Sequence, residues 1–184
     1  SYSDTQNGSC PIVVTRTFTV TDRCGNSASV NQSIEIDDTQ NPVINATTAQ
    51  PVRTIAGCST AAITGLVYSS ISRSITSAQF SNAGFTVTEN CAVKSYSYTD
   101  TQSGICPIIV TRIFTVVDNC DNIGTFTQTI NIRDDIVPSI SCPANQSYEG
   151  CGLSSLPVLP FSNVATTITL AQFTSAGATA TDNC

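Results

Sequence analysis

CPIIVTRIFTVVDNC, running from Cys106 to Cys120, is the stretch whose reading decides the fold of this chain. It reads as one long strand with a cysteine at each end. Ile108, Val110, Phe114 and Val116 share one parity, and Thr111, Ile113, Thr115 and Val117 share the other. Strand side chains alternate between faces, so the first set is expected on a core and the threonine-rich set nearer solvent. Arg112 falls in the inward register. Its stem is expected to pack along the sheet while its head reaches solvent or an acid such as Asp100.

The same sentence occurs earlier as CPIVVTRTFTVTDRC, Cys10 to Cys24. Ser1 to Asn26 matches Ser97 to Asn122 at an offset of 96, with 18 of 26 positions identical. AQFSNAGFTVTENC (Ala78 to Cys91) matches AQFTSAGATATDNC (Ala171 to Cys184) at an offset of 93. A period of about 95 residues is too long for a solenoid unit and close to a small sandwich domain. The polar, proline-ended stretches IDDTQNP and RDDIVP suit short linkers. One complete repeat is therefore expected over 42–137. Residues 1–41 form the C-terminal half of a preceding repeat, and 138–184 the N-terminal half of the next.

Within the complete repeat, the pattern predicts a kinked extended segment from Val43 to Ala56 and a Ser-rich middle. A helical turn is expected around Ser77 to Ala83, then strands at Phe85–Thr88, Val93–Tyr98, Ile108–Val117 and Thr125–Ile132. The fold class is all-β, as tandem, disulfide-stapled immunoglobulin-like sandwiches.

Composition agrees: 40% of residues are hydrophobic, 11% are charged, and Ser, Thr, Val and Ile dominate. A net charge of -6 argues against nucleic acid as a partner. No apolar run approaches the roughly 18 residues of a membrane span, so no membrane insertion is expected. The chain opens inside a strand pattern, without a signal peptide, and reads as an excerpt from a longer protein.

Nine cysteines with no His and no CxxC pair point to disulfides rather than zinc, and hence to an extracellular, oxidising setting. Cys106 and Cys120 end a strand about 35 Å long and lie too far apart to bond. Pole assignment then predicts Cys91–Cys120 and Cys58–Cys106, each loop contributing about 3–4 kcal/mol. Cys10, Cys24, Cys142, Cys151 and Cys184 are expected to find partners outside this stretch.

The order TDNC, CP with a TRxFTVxD strand, a Cys-Gly-Asn-like turn, a final strand and DDxxxP resembles hyalin-type (HYR) repeats. It is most similar to the SprB-type repeats of Bacteroidetes gliding adhesins, and LAQFTSAGATATDNC and SCPAN belong to the same pattern. Arg23 and Asp121 depart from the usual turn, and Val30 and Phe126 stand where a further cysteine is often found. The resemblance implies an immunoglobulin-like fold, export by the type IX system and a place on the cell surface.

Asp37, Asp38, Glu89, Asp118 and Asp121, with Asn90, are expected at one pole facing a linker. Hard oxygen ligands there would suit calcium, against the plainer reading of solvated turn residues. The absence of His, a nucleophile elbow and a phosphate loop argues against an enzyme and against any other cofactor. Asn7, Asn31, Asn45 and Asn145 begin sequons that a Ser/Thr-rich chain produces by chance. The expected function is a structural stalk or fibre segment of a secreted cell-surface adhesin, serving gliding or attachment. Its partners are neighbouring repeats, with an outside surface or polysaccharide gripped by other domains. The alternative is a carbohydrate- or surface-binding module, which predicts aromatics clustered at one pole.

Overall fold

The structure, a computed structural model, describes residues 1–46 and 52–184. The chain forms two compact units, Ser1–Arg133 and Asp134–Cys184. The expected kink between Val43 and Ala56 falls on residues 47–51, outside the described residues.

The first unit opens with an antiparallel three-stranded sheet, β1 (Tyr2–Asn7), β2 (Ile12–Thr21) and β3 (Ser27–Ile36). Then follow β4 (Val43–Ala46), β5 (Val52–Ala56), β6 (Arg73–Ile75), helix α1 (Ser77–Asn82), β7 (Phe85–Thr88), β8 (Val93–Ser103), β9 (Ile108–Asp118) and β10 (Ile123–Arg133). β5-β10-β9-β8-β6 make one five-stranded sheet, and β4 pairs with β7 in a second, smaller one. β5 runs parallel to β10, whereas β8, β9 and β10 form an antiparallel meander.

The quoted stretch is the central strand, β9. Val110, Arg112, Phe114, Val116 and Asp118 are buried in strict alternation, while Ile109 and Ile113 are exposed. Phe114 packs against Phe85 of β7 at 4.5 Å and Phe80 of α1 at 5.6 Å between ring centroids, so the two sheets share a core. Fully burying each such ring is worth about 1.5–3 kcal/mol. A second cluster, Ile63, Val110, Ile130 and Ile132, fills the far end of the same sheet.

Helix α1 is short and held by its cap. Thr76 Oγ1 accepts from Gln79 N at 3.1 Å, and Gln79 Oε1 accepts from Thr76 N at 2.9 Å. This box places Phe80 over the core, 2% exposed.

The second unit contains β11 (Ser139–Ser141), helix α2 (Leu170–Ser175) and β12 (Thr179–Thr181). β11 pairs with β12 as β4 pairs with β7, and α2 has the same capping box, between Thr169 and Gln172. The recurrence is therefore structural as well as sequential: β4, α1 and β7 have counterparts in β11, α2 and β12, 93 to 96 positions later.

Arg112 does not reach solvent. It is 3% exposed, donates to both carboxylate oxygens of Asp100 at 2.8 Å, and donates to the Leu66 carbonyl at 2.9 Å. Its guanidinium lies 4.4 Å from the centre of the Tyr98 ring. Arg16, its counterpart in β2, makes the same fork to Asp4 at 2.8 Å and stacks on Tyr2, but in a pair one-third exposed.

Candidate metal centre and repeat junction

The linker between β3 and β4 positions the site. Ile12 pairs with Ile36, so the chain leaves β3 beside the turn that carries Cys10. It then meets the β9–β10 turn, where the Asn122 amide donates to the Asp38 carbonyl at 2.9 Å. The same amide donates to Asp118 Oδ2 at 2.8 Å, and Asp118 Oδ1 accepts from the N–H groups of Cys120 and Asn122. Asp22, Cys24 and Asn26 build an identical turn 96 positions earlier. There the Asn26 amide holds the Asp22 carboxyl below its usual range. Asn122 was missed as a site residue, although its recurrence as Asn26 was a usable signal.

This geometry brings Cys10 against Cys120. The two are disulfide-bonded, with Cα atoms 5.2 Å apart. The expected Cys91–Cys120 pair is thereby corrected: Cys91 shares the pole but carries a free thiol. Cys58–Cys106 is corrected as well, since Cys106 is free and exposed. Cys10 thus finds its partner within the chain, and Cys58 and Cys184 each take part in a disulfide as well. Cys24, Cys142 and Cys151 are free. The bridge ties the β1–β2 turn to the β9–β10 turn, 110 residues apart in sequence, so the partner of Cys120 lies outside the 42–137 segment in which it was expected.

Of the predicted ligands, Asp38, Glu89 and Asp118 come together, each offering an oxygen within 4.8 Å of the others. Oxygens bound to one Ca²⁺ at about 2.4 Å lie at most about 4.8 Å apart, so the spacing fits a shared ion. Asp38 is 9% exposed and Asp118 fully buried. Asp38 Oδ1 accepts from Gln40 N at 3.0 Å and from the Asn90 amide at 3.1 Å; Glu89 Oε1 accepts from Cys91 N at 3.0 Å. Asp38 Oδ2 and Glu89 Oε2 are buried and meet no hydrogen-bond donor among the described residues. Desolvating a carboxylate oxygen without a partner is costly, and a cation is the natural compensation.

The Gln40 N–H, followed by the Asn90 amide, holds the Asp38 carboxyl below its ordinary range. Asp38 in turn raises the Cys91 thiol, with burial and the charges of Glu89 and Asp118 adding to the effect. Asp37 and Asp121 stand outside the cluster. Asp37 lies beside the Cys10–Cys120 bridge, and Asp121 pairs with Lys94 at 2.6 Å on the surface. The Asn90–Asp38 contact recurs in the second unit as Asn183 to Asp134, at 3.2 Å.

Tyr98, Phe80 and Phe85 are buried, and Tyr68 and Tyr96 are half-buried, so these rings form no exposed platform. A cavity of about 620 Å³ opens beside the core, lined by Arg53, Gln79, Asn82, Arg112 and Gln128 among others. Among the described residues no helix is long and apolar enough to cross a membrane. Disulfide bonds are typical of proteins that work outside the reducing cytosol. Comparison with protein-family models, with curated proteins and with solved structures finds no match.

Proposed function

We propose that this chain is a non-catalytic stalk or fibre segment of a large secreted cell-surface adhesin, built from tandem immunoglobulin-like sandwiches. The similarity to HYR and SprB-type repeats suggests the setting. The observation that supports the reading is the Cys10–Cys120 bridge, which ties the β1–β2–β3 sheet to the β9–β10 turn across the 37–42 linker. A short linker alone leaves a hinge. A covalent bond beside it, with Asn122 gripping the linker backbone, turns the hinge into a stiff joint that transmits force. A calcium ion held by Asp38 and Glu89 would stiffen the same joint further.

Beads carrying an antibody raised against residues 42–137 test this on intact cells of the source organism. Binding is expected. Beads that travel along the cell would make the parent a gliding adhesin, and beads that stay fixed a passive stalk. Failure to bind would contradict the surface assignment.

A further inference from the structure

Three polar side chains cross the inner face of the five-stranded sheet in one row. Asp100 of β8 pairs with Arg112 of β9, and Arg112 pairs with Gln128 of β10. All three are buried, at 1%, 3% and 4% exposure. The row divides the core: Phe114 and Val116 belong to one apolar cluster, Val110 and Ile130 to the other. The same row recurs 96 positions earlier as Asp4, Arg16 and Gln32. Well-packed apolar residues of similar volume are often as stabilising as a buried ion pair or more so, because desolvating two charges is costly. Stability alone therefore does not account for the row.

The row runs into the cavity of about 620 Å³, which Arg112 and Gln128 line from the sheet. Small-molecule sites typically enclose about 300–1,000 Å³. Gln79 and Asn82 of α1 line the cavity from the covering side. Arg53 lines it from the edge strand β5, where it pairs with Ile130 and so shares the inner face. These groups are chiefly donors. Arg112 spends Nε and Nη2 on Asp100 and on the carbonyls of Leu66 and Val67; among the described residues its Nη1 bonds nothing. Gln79 spends Oε1 on the cap of α1, which leaves its amide N–H groups. Arg53 forms no ion pair among the described residues. No carboxylate lines the cavity among the described residues, and residues 47–51, TTAQP, contain none. In a chain of net charge -6, this is a local site of the opposite sign.

We propose that this cavity binds a small hydroxylated carboxylate, the chemistry of a uronic acid. Arg53 and the Nη1 edge of Arg112 receive the carboxylate. The amides of Gln79, Asn82 and Gln128 serve the hydroxyl groups, since an amide both donates and accepts. Asp100 grips the guanidinium of Arg112 from the other side, so its remaining edge is held in one orientation before the ligand arrives. Asp100 also offsets the charge of Arg112, so Arg53 supplies the net attraction. No aromatic ring lines the cavity among the described residues, and recognition rests on charge and hydrogen bonds rather than stacking. The lining residues all fall between 53 and 128, inside the complete repeat, and the proposal does not depend on the adhesin reading.

The test titrates the full, isotope-labelled 184-residue chain in calcium-free buffer with galacturonate, malate and galactose, followed by amide chemical shifts. Galacturonate should give saturable shifts centred on Arg53 and on residues 64–66 and 79–84, and galactose much weaker ones. Arg53 is exposed, so Arg53→Ala should keep the fold. It should weaken galacturonate binding by about tenfold or more, the scale of one charge-assisted hydrogen bond. Arg73→Ala, an exposed arginine on the opposite edge strand, should leave the affinity as it was. Tighter binding of galacturonate than of malate assigns the carboxylate to a sugar, and the reverse assigns it to a free hydroxy acid. No saturable shift with either acid would overturn the proposal. So would galactose binding as tightly as galacturonate, or an unaltered affinity in Arg53→Ala.

Discussion

Asp100→Ala should be the most damaging single polar substitution in this protein, and its magnitude follows from the surroundings of Arg112. Asp100 is 1% exposed and holds Arg112 through two bonds of 2.8 Å, while its Oδ2 also accepts from Ser69 N at 3.0 Å. Removing it leaves a guanidinium buried at 3% exposure, facing neutral carbonyls and the Tyr98 ring without a counter-charge, and strands the Ser69 donor. Breaking a buried ion pair from one side costs about 3–5 kcal/mol. At about 4 °C or more per kcal/mol for a domain of this size, the melting temperature should fall by roughly 12 °C or more. Asp4→Ala removes the same fork where it is one-third exposed, and should leave the complete repeat's transition where it was. Urea titrations followed by circular dichroism compare the two variants with the parent chain. A cost below about 1 kcal/mol for Asp100→Ala would refute the claim that burial, not the fork itself, sets the energy. So would equal effects of the two substitutions.

Calcium should raise the melting temperature of the parent chain, approaching the equivalent of about 2.7 kcal/mol at a hundredfold excess over Kd. The rise should disappear in Asp38→Asn and Glu89→Gln, and an unchanged melting curve in the parent would remove the site. Cys91 should react with iodoacetamide more slowly than Cys142 or Cys151 at pH 8. Its thiol is raised by Asp38 and burial, so its thiolate appears at higher pH; Asp38→Asn should speed the reaction, and an unaltered rate would contradict the contact. Thr76→Ala should cost about 0.5–2 kcal/mol by opening the capping box that seats Phe80, measured by the same urea titration.

How much of this was legible beforehand depended on whether the signal was local. The alternation from Ile108 to Asp118 identified the central strand because both faces of a sheet stamp their demands on one segment. The Thr-x-x-Gln pattern around Phe80 carries its own cap, so the expected turn around Ser77 appears as α1. Strand β6 was not anticipated, because Arg73–Ile75 sits in a serine-rich run without alternation and owes its conformation to pairing with β8. Strands β8 and β10 run farther than expected, to Ser103 through pairing with β9 and to Arg133 through pairing with β5. At the junction, the acids at one pole were foreseen, yet only Asp38, Glu89 and Asp118 converge. Asp121 has φ 66° and turns outward to Lys94, a direction that no composition or spacing encodes. The cysteine pairing was misjudged for a related reason. It depends on a contact between the β1–β2 turn and the β9–β10 turn, whose cysteines stand 110 residues apart, and no local pattern encodes it.

The proposed stiff stalk rests on the Cys10–Cys120 disulfide, which ties the β1–β2–β3 sheet to the β9–β10 turn across the 37–42 linker. Trypsin and Glu-C mapping of the oxidised chain without reduction, after blocking free thiols, tests it directly. A linked peptide pair containing Cys10 and Cys120 is expected, with Cys91 recovered as a blocked thiol. Recovery of Cys91 linked to Cys120, with Cys10 blocked, would place the staple inside one repeat and contradict it.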